Sequence, residues 1–177
     1  MENRKTQIVN LTLDLIRDKG FVAISYDDIS KQLGITKASI HYHFEKKEDL
    51  AIAVADRIQL NLQNVFVSLD STPTSVKEKI MKFIATRVEQ GGNGICPISS
   101  LQTDYESLPE VVRQKVQEIS QLELSVLIEI LKGEYEEDHA ESLAFAILSC
   151  LKGALQYKRV LGKDILPQVI YQINRLI

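Results

Sequence analysis

The sequence predicts an all-α fold, with a three-helix, helix-turn-helix domain over residues 1–48 and a larger helical domain over residues 49–177. Three observations carry that expectation. Apolar residues recur at helical spacing along nearly the whole chain, and no convincing period-two run interrupts them. The eight glycines and four prolines fall between the apolar runs, at Gly20, Gly34, Pro73, Gly91 to Gly94, Pro97, Pro109, Gly133, Gly162 and Pro167, with Gly153 the exception. Residues suited to helix caps stand at several of the expected starts.

The elements follow in order. Ile8, Leu11 and Leu15 form one stripe and Val9, Leu13 and Ile16 an adjacent one, a broad apolar face for a first helix ending near Gly20. Ser25-Tyr26-Asp27-Asp28 has the spacing of a capping box and starts a second helix, with Ile29 and Leu33 inward, that Gly34 stops. Thr36 can cap a third, in which Ile40 and Phe44 share a face, and a long fourth runs from about Lys47 through Leu50, Val54, Ile58, Leu62 and Phe66 to Ser71-Thr72-Pro73. Further helices are expected at roughly 74–90, 97–106, 109–132, 137–161 and 164–177, with Pro97 and Pro109 where first turns tolerate them. The helix from about 137 carries Leu143 to Leu148, Cys150, Leu151, Ala154, Leu155 and Tyr157 on nearly every side. Apolar residues all round imply burial all round, by a central position in the fold together with a subunit interface.

Composition narrows the function classes. The chain has 177 residues, 45% of them hydrophobic and 25% charged, as in ordinary globular domains. No stretch approaches the roughly 20 apolar residues of a membrane span, and no apolar signal core follows Met1 to Lys5, so an intracellular, cytoplasmic protein without a membrane partner is expected. Cys96 and Cys150 are too few for a disulfide framework or a structural zinc site. No metal and no cofactor is implied. Paired carboxylates, a nucleophile-base pair and a phosphate-binding glycine loop are all missing from the pattern, so an enzyme is not expected. The net charge of −3 argues against indiscriminate coating of nucleic acid, but its distribution is uneven. Residues 1–50 are neutral, and between 31 and 47 four lysines (Lys31, Lys37, Lys46, Lys47) with His41 and His43 face a single acid, Glu45.

That positive patch falls on the helix-turn-helix, whose second helix can enter a major groove. With Ile40 and Phe44 inward, about 100° per residue leaves Ala38, Ser39, His41 and Tyr42 outward, and Lys37 reaches past its own stem. Ala38 permits close approach. Lys37 offers a donor to guanine O6/N7 or phosphate, Ser39 and His41 can bond base edges or phosphate, and the Tyr42 hydroxyl suits a phosphate oxygen. Lys47 opens the next helix, placed for the nucleic-acid backbone. His43 lies angularly close to the Ile40/Phe44 side and can be either packed or a phosphate ligand. His41 and His43 point about 200° apart and are no metal pair, and His139, alone among acids, reads as a solvated helix-start residue.

Gly20-Phe21, Ser25-Tyr26-Asp27-Asp28-Ile29, Gly34-Ile35-Thr36-Lys37-Ala38-Ser39-Ile40-His41-Tyr42-His43-Phe44 and Lys47-Glu48-Asp49-Leu50 resemble the N-terminal domain of TetR-type (TetR/AcrR) transcriptional repressors over about 55 residues. The resemblance implies an all-helical homodimer whose N-terminal helices bind a palindromic operator in double-stranded DNA. It further implies a divergent C-terminal part that holds a small-molecule effector and pairs through its last two long helices. By position it implies Lys37, Ala38 and Ser39 at bases and Tyr26, Thr36, Tyr42, His43 and Lys47 at phosphates. The chain departs from the family at His41, where tyrosine is the usual residue.

A second region of interest runs from Gly91 to Leu108. Cys96, just before Pro97, would cap the next helix, where the positive helix end favours a thiolate; packing as a small hydrophobe against a cavity is the other reading. This stretch resembles a subset of TetR-type regulators with a cysteine at this helix start, some of which sense electrophiles or small unsaturated acids. Phe83, Ile98 and Leu101 with Gln102, Thr103 and Tyr105 have the make-up of a ligand pocket, or the polar ones face solvent. Cys150, amid Leu148 to Leu151, is expected in the core. The expected function is a ligand-responsive, DNA-binding transcriptional regulator, a repressor; the alternative is a helical protein–protein adaptor without an operator.

Overall fold

Nine α-helices and one 3-10 turn make up the described residues of the computed structural model, which are 3–71, 73–91 and 94–177, and no strand occurs among them. Met1, Glu2, Thr72 and the Gly92-Asn93 part of the glycine cluster lie outside the described residues. The helices are α1 (Arg4–Lys19), α2 (Tyr26–Leu33), α3 (Lys37–His43), α4 (Lys47–Asp70), α5 (Val76–Gly91), α6 (Pro97–Thr103), α7 (Glu110–Leu131), α8 (Glu137–Leu161) and α9 (Leu166–Leu176), with the 3-10 turn at Tyr105–Ser107.

Local chemistry sets most of these bounds. Asn3 caps α1, its Oδ1 accepting the Thr6 N–H at 2.8 Å. At α2 the capping box forms in both directions: Ser25 Oγ accepts the Asp28 N–H, and Asp28 Oδ2 accepts the Ser25 N–H at 2.8 Å. Gly34 ends that helix at φ 64°, in the left-handed region where an added Cβ is strained, and the Ile35 N–H returns to the Ser30 carbonyl. Three later bounds differ from the periodicity. Helix α5 waits for Val76, because Ser75 and Glu78 make a second capping box. Helix α6 stops at Thr103 and tightens into the 3-10 turn, with the Ser107 N–H on the Asp104 carbonyl. Helix α9 begins at Leu166, whose N–H is taken by Asp164 Oδ1 at 3.1 Å while Asp164 also pairs with Lys158.

Packing gathers the elements into two compact units, Met1–Leu60 with Pro97–Ile119, and Asn61–Cys96 with Ser120–Ile177. In the first, α1 packs on α2 and α6, α2 on α3, and the core is made by Ile8, Ile16, Ile29, Ile40, Leu50 and Val54, all buried. In the second, α8 packs on α9, with Leu69, Ile80, Phe83, Leu127, Leu131, Ile147 and Ile173 buried. No helix among the described residues is long and apolar enough to cross a membrane.

Helix α8 corrects one expectation and refines another. It is two-faced within the chain: Ala140, Leu143, Ala144, Ile147, Leu148, Leu151, Ala154 and Leu155 are buried, while Phe145 and Tyr157 stand exposed. Cys150, expected in the core, is exposed. Its neighbours in sequence, Leu148 and Leu151, do turn inward, but at about 100° per residue position 150 falls at the edge of the buried stripe, about a quarter turn from its centre. There it lines a groove of about 400 Å³ with Gly153, Ala154 and Tyr157 of α8 and Val169, Gln172, Ile173 and Leu176 of α9.

Candidate nucleic-acid interface

The candidate surface is built on α3, only seven residues long. Thr36 caps it, Oγ1 accepting the Ser39 N–H at 3.2 Å, and Ile40 with the following Phe44 sink into the core. Lys37, Ala38, His41 and Tyr42 are thereby exposed, and Ser39 and His43 half-buried. Tyr42 is the extreme, at 85% exposure.

Several of the expected contacts carry internal partners. The Tyr26 hydroxyl donates to the Phe44 carbonyl at 2.9 Å, joining the start of α2 to the end of α3. Burial, and then the negative charges of Asp49 and Glu48, push its phenol up to about 12, so it remains a donor throughout the physiological range. The His41 ring meets Tyr26 edge-on at 4.8 Å and its Nδ1 lies 3.2 Å from the Glu45 carbonyl; His43 meets Tyr42 edge-on at 5.0 Å. Lys37 Nζ lies 2.7 Å from Asp27 Oδ2. Lys47 Nζ donates to the Val22 carbonyl at 3.0 Å and sits 4.7 Å from the centre of the Phe21 ring. Burial pushes the Lys47 ammonium below its usual range, against the nearby carboxylate of Asp104. Asp104 in turn accepts the Val22 N–H at 3.2 Å. Thus both polar groups of the Val22 backbone are held by side chains from other elements.

Charge separates the two ends of α3. Its start carries Lys37, whereas a groove by its end, lined by Lys5 and His43 among others, includes the carboxylates of Glu45, Asp49 and Asp56.

The other candidate residues distribute over both units. In the second unit Phe83 and Cys96 are buried; in the first, Ile98 and Leu101 are buried, Tyr105 is half-buried with its hydroxyl accepting from Gln117, and Gln102 is exposed. No sequence pattern points to the groups around Cys96. Arg87 Nη2 donates to Cys96 Sγ at 3.2 Å and to Glu123 Oε1 at 2.6 Å, and Lys152 Nζ lies 2.5 Å from Glu123 Oε2. Glu123 is 2% exposed, Arg87 12% and Lys152 20%. These residues come from three helices, far apart in sequence, so no local pattern could reveal them. Among the described residues no cluster of three His, Cys, Asp or Glu side chains could hold a metal ion.

Comparison with known proteins agrees with this geometry. The family model described as bacterial regulatory proteins, tetR family, matches residues 8–54. Over its full length the chain is similar to a TetR transcriptional regulator from Legionella pneumophila, at 31% identity and a TM-score of 0.94, covering 100% of this chain and 98% of that one. An uncharacterized HTH-type transcriptional regulator in the lacX 3' region of Lactococcus lactis subsp. lactis is 24% identical over 168 residues, 90% of this chain and 85% of that protein. The biofilm operon icaADBC HTH-type negative transcriptional regulator IcaR of Staphylococcus epidermidis is 39% identical over 46 residues, 26% of this chain and 25% of that protein.

The ion pairs of buried Glu123 give a test of the second unit. Glu123→Ala leaves the Arg87 and Lys152 charges without their shared counter-ion, and should cost about 3–5 kcal/mol. Denaturant unfolding at fixed protein concentration checks this, with Glu123→Gln, which retains an acceptor, expected to lose less. Equal midpoints for wild type and Glu123→Ala would show that the trio contributes nothing.

Proposed function

This chain belongs to the TetR family of bacterial transcriptional regulators, and we propose that it is a homodimeric, ligand-responsive repressor acting in the cytoplasm, reading a palindromic operator through residues 1–48. TetR-family regulators generally act as ligand-responsive DNA-binding repressors, bind DNA and effectors as dimers, and are typically not enzymes. One observation carries the reading for this chain: α3 buries Ile40 and Phe44 and presents Lys37, Ala38, His41 and Tyr42 to solvent. Lys37, Ala38 and Ser39 are assigned to base edges, Tyr26, Thr36, Tyr42, His43 and Lys47 to phosphates, and His41 to either a base edge or a phosphate. To reach a phosphate the Lys47 ammonium must leave Val22 and Phe21, exchanging one set of partners for another. The negative regulation named for IcaR supports repression as the sign.

Residues 49–177 are proposed to bind the effector and to pair the two copies. Phe83, Cys96, Ile98, Leu101, Gln102 and Tyr105 remain the candidate effector residues, and Cys96 with its Arg87 partner the candidate for an electrophile. The effector releases DNA by favouring a conformer whose two reading heads no longer match half-sites about 34–36 Å apart. The exposed apolar face of α8 and α9 supports pairing as a four-helix, two-fold interface.

Three measurements test these assignments. Selection from a random duplex pool should enrich a palindrome; Lys47→Ala should then weaken all sequences alike and lower the salt slope by roughly 1, while Lys37→Ala should relax preference at one base pair. Identical salt slopes for wild type and Lys47→Ala would remove Lys47 from the phosphates. For the interface, Tyr157→Glu should give monomers in sedimentation, and Cys150 should react with iodoacetamide slowly in the wild-type dimer and quickly in the variant. A wild type that sediments as a monomer at micromolar concentration ends the pairing assignment. For the effector, alkylating Cys96 should lower operator affinity and Cys96→Ser should bind DNA but ignore the reagent; a modified Cys96 with unchanged affinity leaves a noncovalent effector.

A further inference from the structure

Two acids stand side by side in the first turn of α2, and the structure employs them differently. Asp28 belongs to the fold. Its Oδ2 accepts the Ser25 hydroxyl at 2.7 Å and the Ser25 N–H at 2.8 Å and lies 3.0 Å from Lys19 Nζ. These bonds hold its carboxyl well below the usual carboxylate range, Ser25 contributing most and Lys19 less. Asp27 takes no part in that box. Its carboxylate lies 2.7 Å from the Lys37 ammonium, across the turn on the first residue of α3, and the two side chains are 50% and 54% exposed.

A pair this wet contributes little to stability. Its position is also unfavourable for an anion. The first helix of a helix-turn-helix crosses the sugar-phosphate backbone, so a carboxylate in the first turn of α2 faces phosphates whenever α3 enters a groove. Left without a partner, the Lys37 side chain could swing its ammonium on a flexible four-carbon stem to phosphates, adding affinity that is blind to sequence.

We propose that Asp27 is a specificity-determining positioning residue, which holds the Lys37 ammonium at the start of α3 so that the lysine reads a guanine edge instead of the backbone. The proposal rests on the operator-binding reading above. An ammonium has three donors. One engages Asp27, and two remain for the O6 and N7 acceptors of a guanine, which are neutral and add to the pair without displacing it. A phosphate competes with Asp27 for the same cation, and if it wins, the freed carboxylate is left beside it. The tether therefore penalises the backbone contact and spares the base contact. A role confined to the positive end of the α2 dipole would contribute to helix stability alone.

The experiment uses the full chain as wild type, Asp27→Asn, Asp27→Glu, Lys37→Met and the Asp27→Asn/Lys37→Met double variant. Each is put through selection from a random duplex pool, then titrated at several salt concentrations with the selected operator, the operator changed at the base pair that Lys37 reads, and an unrelated duplex. Asp27→Asn should bind the unrelated duplex more tightly and lose preference at that base pair by about fivefold, with Asp27→Glu recovering part of it. In the Lys37→Met background, Asp27→Asn should change preference at no base pair. A wild type that enriches a palindrome beside an Asp27→Asn protein with the same base preferences overturns this proposal and leaves the operator reading standing. The same holds if Asp27→Asn lowers the melting temperature alone, which assigns the residue to the helix dipole. A wild type that enriches no sequence overturns both.

Discussion

A seven-residue helix cannot hold itself together in water, because nucleation fixes more backbone freedom than two turns of hydrogen bonds return. Helix α3 therefore exists only as far as Ile40 and Phe44 are driven into the core of the first unit, and the exposure of Lys37, Ala38, His41 and Tyr42 follows from those two. The helix is pinned at both ends besides: Thr36 caps its start, and the Phe44 carbonyl at its end takes the Tyr26 hydroxyl. With the axis, the rotation and both termini fixed, Lys37, Ala38, His41 and Tyr42 have no inward alternative. A surface meant to match the edges of base pairs needs that kind of definition, since a rotation of one residue, about 100°, would replace the whole reading face.

The second unit solves a different problem. It buries the Glu123 carboxylate between the half-buried charges of Arg87 and Lys152, where apolar side chains of similar volume would cost less to desolvate. The arrangement ties α5, α7 and α8 together at one point, and places the Arg87 guanidinium on the Cys96 thiol, one residue before α6 begins. Helix α8 meanwhile divides its apolar residues between an inner face and an outer one, and the outer one continues on α9. An apolar groove of this extent on a monomer is unusual among surfaces that meet only water.

What the sequence revealed and what it hid divide along the range of the interactions concerned. The Ser25 capping box, the Gly34 stop and the Thr36 cap depend on residues within four positions of one another, and each was legible. The Ser75-to-Glu78 box has the same signature and was equally readable, though Pro73 drew the expected start of α5 earlier. Cys150 is exposed despite its hydrophobic neighbourhood in sequence, because on an α-helix adjacent residues point to different sides. Partners 36 and 82 positions away lay beyond any periodicity, as with Arg87 on Glu123 and Asp104 on Val22. The candidate reading face was legible through its buried side, since Ile40 and Phe44 imply their complement. The Lys37 and Lys47 side chains were not, because a long cationic stem chooses its partner from the tertiary surroundings.

Those tertiary choices bear on how the reading helices are held. Val22 sits in the loop between α1 and α2, and its N–H is bonded to Asp104, just after α6, while its carbonyl is bonded to Lys47, the first residue of α4. The same loop is flanked by Gly20, whose φ of 80° admits no side chain without strain and whose Cβ position lies 3.4 Å from Asp104 Oδ2. Neither the end of α6 nor the start of α4 can shift against this loop without giving up one of the two bonds. Both bonds are exposed and each is worth on the order of 1 kcal/mol net at most. They are strong enough to set the resting position of the α1–α2 loop. They are also weak enough that an effector with a differential affinity of a few kcal/mol could select a conformer lacking them. Under the proposed function, apolar burial would keep the shape of the α3 face while the polar, breakable bonds of the α1–α2 loop would let its position change.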